Sequence, residues 1–152
     1  MSPRSELDEL YQEILLDHYR RPRNFGPLAG ADREVDGHNP LCGDRVRLRV
    51  KLDGERLAEV RFEGVGCAIS TASASMMTEA VRGRSVDEAL ELGERFRAHL
   101  RADGGEGPAE ELGDLAALGG VRAFPMRVKC ATLAWHALRA ALAGEAAAVT
   151  TE

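Results

Sequence analysis

The order of hydropathy patterns predicts an α+β domain, a small antiparallel β-sheet of about three strands covered on one face by several α-helices. Three observations carry this expectation. The opening residues repeat apolar side chains at helical spacing, residues 45–63 alternate between apolar and charged, and the chain after Cys67 returns to helical spacing. At 152 residues the chain has room for one core, so a single domain over 1–152 is expected, with 1–6 and 144–152 as frayed ends.

The first helix is marked by Ser5 with Asp8, a capping box in which Asp replaces Glu, and by Leu7, Leu10, Tyr11, Ile14, Leu15 and Tyr19. Pro22, Asn24, Gly26 and Pro27 end it and open a loop. From Arg45 to Leu52 the alternation is strict. Val46, Leu48, Val50 and Leu52 share one face, and Arg45, Arg47, Arg49 and Lys51 the other. After the turn signal Asp53-Gly54, Ala58, Val60 and Phe62 alternate with Glu59, Arg61 and Glu63.

A two-residue turn would oppose Leu48 to Glu59 and mix the faces. A three-residue connection instead sets Val50 against Ala58, Leu48 against Val60 and Val46 against Phe62, and a five-residue one also restores the match. A bulged or longer hairpin is therefore expected. In the three-residue register the outer face pairs Arg49 with Glu59 and Arg45 with Glu63, which reads as a solvated, charge-paired surface and not as a nucleic-acid platform.

After Gly64-Val65-Gly66 a helix runs from Cys67 to about Val81. Ser85 and Glu88 form a capping box for the next, which carries Val86, Leu90, Phe96 and Leu100. Residues 101–110 read as a flexible loop, Glu110 to Leu118 as a short helix, and a final helix is expected to begin near Lys129.

Composition narrows the function classes. With 44% hydrophobic and 30% charged residues the chain is neither disordered nor membrane-spanning, and no apolar run is long enough for a bilayer. A net charge of −5 argues against a general nucleic-acid binder. The polar opening Met1 to Glu6 lacks the apolar stretch of a secretory signal, and three cysteines are an odd number, so free thiols in a reducing cytoplasm are expected.

Each cysteine sits where a ligand or nucleophile would be useful. Cys42 lies in the turn-rich stretch His38 to Asp44, Cys67 at the switch from strand to helix, and Cys130 at the start of the last helix. A helix N-terminus offers free N–H groups and a positive dipole end that favour a thiolate. Asp44 follows Cys42 by two residues. Three thiolates and a carboxylate would suit zinc, or iron with sulfide. The spacing alone, without a C-x₂-C pair, leaves unrelated buried cysteines and a lone reactive thiol open as well.

Longer motifs add to this. They are Asp17-His18-Tyr19-Arg20-Arg21-Pro22-Arg23-Asn24-Phe25-Gly26, Asn39-Pro40-Leu41-Cys42-Gly43-Asp44, Gly66-Cys67-Ala68-Ile69-Ser70, and Lys129-Cys130-Ala131-Thr132-Leu133-Ala134-Trp135. In this order they resemble the U-type iron–sulfur cluster assembly proteins, over roughly residues 7–142. Lys129 stands where the IscU-like scaffold branch has histidine, and Ala123 to Arg127 where that branch has its chaperone-docking motif. Residues from about 98 to 118 look like the extra segment of the SufU branch, to which the chain is most similar.

The resemblance implies Cys42, Asp44, Cys67 and Cys130 as zinc ligands, with Cys42 as acceptor of persulfide sulfur from a SufS-type cysteine desulfurase. A histidine of the desulfurase would displace Cys42 from zinc, and downstream SUF cluster-assembly proteins would receive the sulfur. The alternative it allows is a non-enzymatic scaffold holding a transient [2Fe-2S] cluster on Cys42, Cys67 and Cys130 with Asp44.

Other residues are weighed against ordinary roles. Arg127 is a candidate for partner docking or for polarising the persulfide, set against a plain surface arginine. His18 and Tyr19 suit helix packing, and His38 is a weak alternative ligand. His99 and His136 read as ordinary helix residues. Ser70, Thr71, Ser73 and Ser75 read as small residues for close packing, and Glu13 with Asp17 as a solvated face.

Overall fold

The computed structural model describes residues 6–40, 43–101, 109–121, 124–144 and 148–150. Helix α1 (Glu6–Arg20) leads into strands β1 (Arg33–Asn39), β2 (Asp44–Asp53) and β3 (Arg56–Val65). Helices α2 (Ala68–Val81) and α3 (Val86–His99), a 3-10 segment (Ala109–Val121) and helix α4 (Pro125–Ala143) follow, then a short strand β4 (Ala148–Thr150). The α+β class expected from the sequence is the one observed. Three strands pair antiparallel, and β4 joins in parallel at the edge of β1, giving the order β3-β2-β1-β4.

Two strands escape the sequence reading. β1 covers residues 33–39, where no strand pattern was evident, because Val35 is its one inward aliphatic side chain. Its other inward positions are Gly37 and Asn39. Gly37 is there for space, since a Cβ would stand 3.0 Å from Val46 Cγ1 and 3.2 Å from Leu133 Cδ1, where α4 crosses the sheet. β4 pairs with β1 over Ala148–Thr150, within the end expected to fray.

The hairpin is bulged, as expected, but not in the three-residue register. Asp53 opposes Arg56, the register shifts between Lys51 and Leu52, and beyond it Val50 faces Val60 and Leu48 faces Phe62. The shift preserves the buried face while changing the charge partners. Arg47 opposes Glu63, Lys51 opposes Glu59 and Arg49 opposes Arg61. The outer face stays charge-paired. Arg47 Nε donates to Asp36 Oδ1 at 2.8 Å, and Arg49 bridges Glu34 and Glu63 from the middle strand.

α2 and α4 lie against the inner face of the sheet and against each other, with α1, α3 and the 3-10 segment packed around them. Leu48, Val50, Leu57 and Val60 are fully buried beneath Met77, Val81 and Leu133. Phe96 of α3 stacks on Trp135 of α4 at 5.1 Å. α3 starts with the expected capping box, Ser85 Oγ accepting from Glu88 N and Glu88 Oε1 from Ser85 N.

α1 is anchored through His18, which is 3% exposed and whose Nδ1 lies 2.7 Å from Ser75 Oγ on α2. Asp17 binds Arg23 and Arg21 side chains at 2.5 Å each, and these hold its carboxyl down at about 2. No helix among the described residues is long and apolar enough to cross a membrane.

Candidate metal centre

Three ends of secondary structure meet at one edge of the core. β2 begins at Asp44, paired across the sheet with Asn39, the last residue of β1. β3 leaves the sheet at Val65, and one residue intervenes before Cys67 caps α2. α4 brings Cys130 against the same point. One ligand atom from each of Asp44, Cys67 and Cys130 lies within 4.8 Å of the others.

Their environments differ. Asp44 is 2% exposed and Cys130 5%, whereas Cys67 is open to solvent. The Asp44 carboxylate is oriented by the Cys67 backbone, whose N–H donates to Oδ1 at 3.0 Å. Its other oxygen stands 3.6 Å from Cys67 Sγ. Cys67 Sγ in turn accepts from Ser70 N at 3.4 Å, so this thiol is the side-chain cap of α2. Cys67 therefore stands at a helix N-terminus, the position expected for it.

For Cys130 that expectation fails. α4 starts at Pro125, earlier than expected, because proline at the first helical position lacks only an N–H that the helix would leave unused. Cys130 is thereby placed in the second turn, away from the free N–H groups. Its sulfur instead meets the Asn39 side-chain amide, Nδ2 to Sγ 3.9 Å.

The donor set suits a borderline metal ion. A tetrahedral zinc with thiolate and carboxylate ligands keeps neighbouring donor atoms about 3.5–3.8 Å apart. The 3.6 Å between Cys67 Sγ and Asp44 Oδ2 matches that spacing without rearrangement. Cys42, the fourth expected ligand, lies outside the described residues, as do residues 102–108 of the expected loop.

Other candidates fall elsewhere. His38 sits on β1 between the inward-facing Gly37 and Asn39, so strand alternation turns it to the outer face. Arg127 is exposed on the first turn of α4, its guanidinium 4.8 Å over the Phe124 ring. His99 Nε2 lies 3.2 Å from the Ala116 carbonyl oxygen, tying α3 to the 3-10 segment. His136 is partly buried, which lowers its pKa, with Arg97 and Arg139 adding to the effect.

Two residues of the site were not singled out from sequence. Asn39 opens the Asn39–Asp44 motif, but its burial at the end of β1, which gives it a role, has no local signal in the sequence. Gly66 is the other. A Cβ there would lie 2.9 Å from Asp44 Oδ1 and 3.2 Å from Ser70 Oγ, so only glycine lets the carboxylate and the α2 N-terminus close up.

Known proteins are similar to this chain over nearly its whole length. The zinc-dependent sulfurtransferase SufU of Bacillus subtilis is 46% identical over 145 residues, 95% of this chain and 97% of that protein. The iron-sulfur cluster assembly scaffold protein IscU of Streptococcus pyogenes is 47% identical over 139 residues, 91% and 86% of the two chains. A crystal structure of a candidate iron-sulfur cluster assembly scaffold protein for the SUF system, from Fervidobacterium islandicum, superposes with a TM-score of 0.81 at 36% identity, covering 88% of this chain and 97% of that one. Residues 10–144 match the NifU-like N-terminal domain, and the chain belongs to that family of U-type proteins.

Proposed function

We propose that this protein is a zinc-holding sulfur carrier of SUF-type iron–sulfur cluster assembly. It accepts persulfide sulfur at Cys42 from a SufS-type cysteine desulfurase in the cytoplasm and passes it to downstream cluster-assembly proteins. The observation that carries the reading is the convergence of Asp44, Cys67 and Cys130 within 4.8 Å at one edge of the core. The similarity to a protein named as a zinc-dependent sulfurtransferase supports the metal and the chemistry. Lys129, beside Cys130, supplies no imidazole to a cluster.

Bound there by Asp44, Cys67, Cys130 and Cys42, zinc would keep thiols deprotonated without redox chemistry of its own. Ser70 N–H holds Cys67 Sγ, and the Asn39 amide backs Cys130 Sγ, so two sulfurs are kept in place. Cys42 is the acceptor sulfur that the resemblance to the SufU branch implies. Its thiolate attacks the outer sulfur of the donor's persulfide, a new S–S bond forms on Cys42, and the donor cysteine departs as a thiolate. One S–S bond is exchanged for another, so the step needs no oxidant. Arg127 stands exposed in the first turn of α4 and supplies a positive charge towards a docked partner or the departing thiolate.

Replacing Cys42 with alanine tests the assignment. Stimulation of the desulfurase should disappear while the fold persists, and normal stimulation would refute the acceptor role. A second reading, a scaffold for a transient [2Fe-2S] cluster, is favoured by the similarity to a protein named IscU. Native mass spectrometry after anaerobic incubation with desulfurase, cysteine and ferrous iron separates the two. One retained zinc with sulfur added on Cys42 supports the carrier, and loss of zinc with gain of iron and sulfide supports the scaffold.

A further inference from the structure

At the other end of α2 lies a second group of ligating side chains. Glu79 follows Cys67 by twelve residues along that helix, about 18 Å away at 1.5 Å per residue. There His18 of α1, Glu79 of α2 and Asp114 of the 3-10 segment border a cleft of about 420 Å³, floored by Met76 and Leu115. His18 Nε2 stands 3.7 Å from Glu79 Oε1 and 3.9 Å from Asp114 Oδ2, beyond hydrogen-bond reach of either.

The imidazole is the informative member. Its side chain is 4% exposed, and burial, with the nearby Arg23 charge, lowers its pKa from the ordinary value. Its other nitrogen, Nδ1, is fixed 2.7 Å from Ser75 Oγ, which is itself held by the Arg23 backbone N–H at 2.8 Å. In the tautomer that carries its proton on Nδ1, the ring donates to Ser75 Oγ and turns its Nε2 lone pair into the cleft between the Glu79 and Asp114 carboxyl groups. This is how metal-ligating histidines are braced, one ring nitrogen on the ion and the other hydrogen-bonded behind it. Both carboxylates are half exposed or more, free to swing onto one ion. Arg84 also borders the cleft, but its Nε is tied to the Ala80 carbonyl at 2.7 Å.

We propose that His18, Glu79 and Asp114 form a second cation site, for a divalent first-row metal ion held by one imidazole nitrogen and two carboxylate oxygens. Such a nitrogen and oxygen set differs in kind from the thiolate centre and selects a harder ion. An ion there would clamp α1, α2 and the 3-10 segment together.

Manganese(II) is the probe, because it competes poorly for thiolates. The full-length, zinc-loaded protein is titrated with Mn²⁺, with electron paramagnetic resonance counting free ion and NMR following the His18 ring. One equivalent should bind, with paramagnetic broadening of the His18 signals. The double variant Glu79→Gln, Asp114→Asn should bind about 10–100-fold more weakly, the usual loss for a disrupted metal shell. Both residues are exposed enough that the fold survives, which a His18 variant would not guarantee. A Cys67→Ser, Cys130→Ser variant should still bind Mn²⁺. Non-saturating uptake, binding unchanged in the carboxylate variant, or binding lost in the cysteine variant would each overturn the proposal.

Discussion

Gly66→Ala probes the metal centre without removing any ligand. The added Cβ would lie 2.9 Å from Asp44 Oδ1, whereas ordinary contact begins at 3.4 Å. The carboxylate oxygen must therefore retreat by about 0.5 Å, since protein interiors have no slack to absorb the overlap. That oxygen accepts the Cys67 N–H at 3.0 Å, so a retreat of this size stretches the contact to the limit of a hydrogen bond. Losing a charge-assisted hydrogen bond costs about 1.5–3 kcal/mol. Much of that would appear as misplacement of Asp44 relative to Cys67, which predicts a loss in zinc affinity of about 10–100-fold. The assay is competition against a chelator of known affinity, with a melt of the zinc-free protein as control. The zinc-free melt should fall by several degrees, because the lost hydrogen bond is present without zinc, and the affinity loss is judged beyond that control. Zinc affinity within about threefold of wild type (less than 1 kcal/mol,) would refute the argument that Asp44 is held in place as a ligand.

Two further perturbations test the frame around the site. Ser75→Ala removes the partner of both His18 Nδ1 and the Arg23 N–H, and should destabilise the protein by about 2–4 kcal/mol in chemical denaturation, because buried polar groups left unpaired cost about 1–3 kcal/mol each. A change below 1 kcal/mol (about fivefold in the folding equilibrium,) would mean that His18 does not anchor α1. The pH dependence follows from burial, which lowers the pKa of His18 and of His136 from the ordinary 6.5. The unfolded chain then takes up protons first as the pH falls, so the stability carried by the neutral rings is complete above the ordinary value and declines below it. The melting temperature should drop between about pH 7.5 and 5.5, and His136→Gln should reduce the drop. A flat profile over that interval would contradict the burial of both rings.

The elements were legible wherever their signal is local. Helical spacing gave α1 and α2, the Ser85/Glu88 pair gave the start of α3, and strict alternation gave β2 and β3. β1 was not legible, because with Val35 as its one inward aliphatic residue it carries no periodic signal. It is a strand because β2 offers it a hydrogen-bonding edge and α4 a floor. The register of the hairpin was half legible. Alternation excluded odd shifts, but two even solutions bury the same face, and the bulge after Lys51 chose between them.

The same division runs through the site. Sequence by itself marked Cys42, Asp44, Cys67 and Cys130 as candidate metal ligands, and determined the family whose motifs contain them. Tertiary structure decided that Asp44, Cys67 and Cys130 meet, that Asn39 backs Cys130, and that His18 sits under Glu79 and Asp114. Ligand type is a property of single residues and is written in the chain. Convergence depends on how helices α2 and α4, whose cysteines lie 23 and 86 residues beyond Asp44, pack on one core, and only folding brings them within reach.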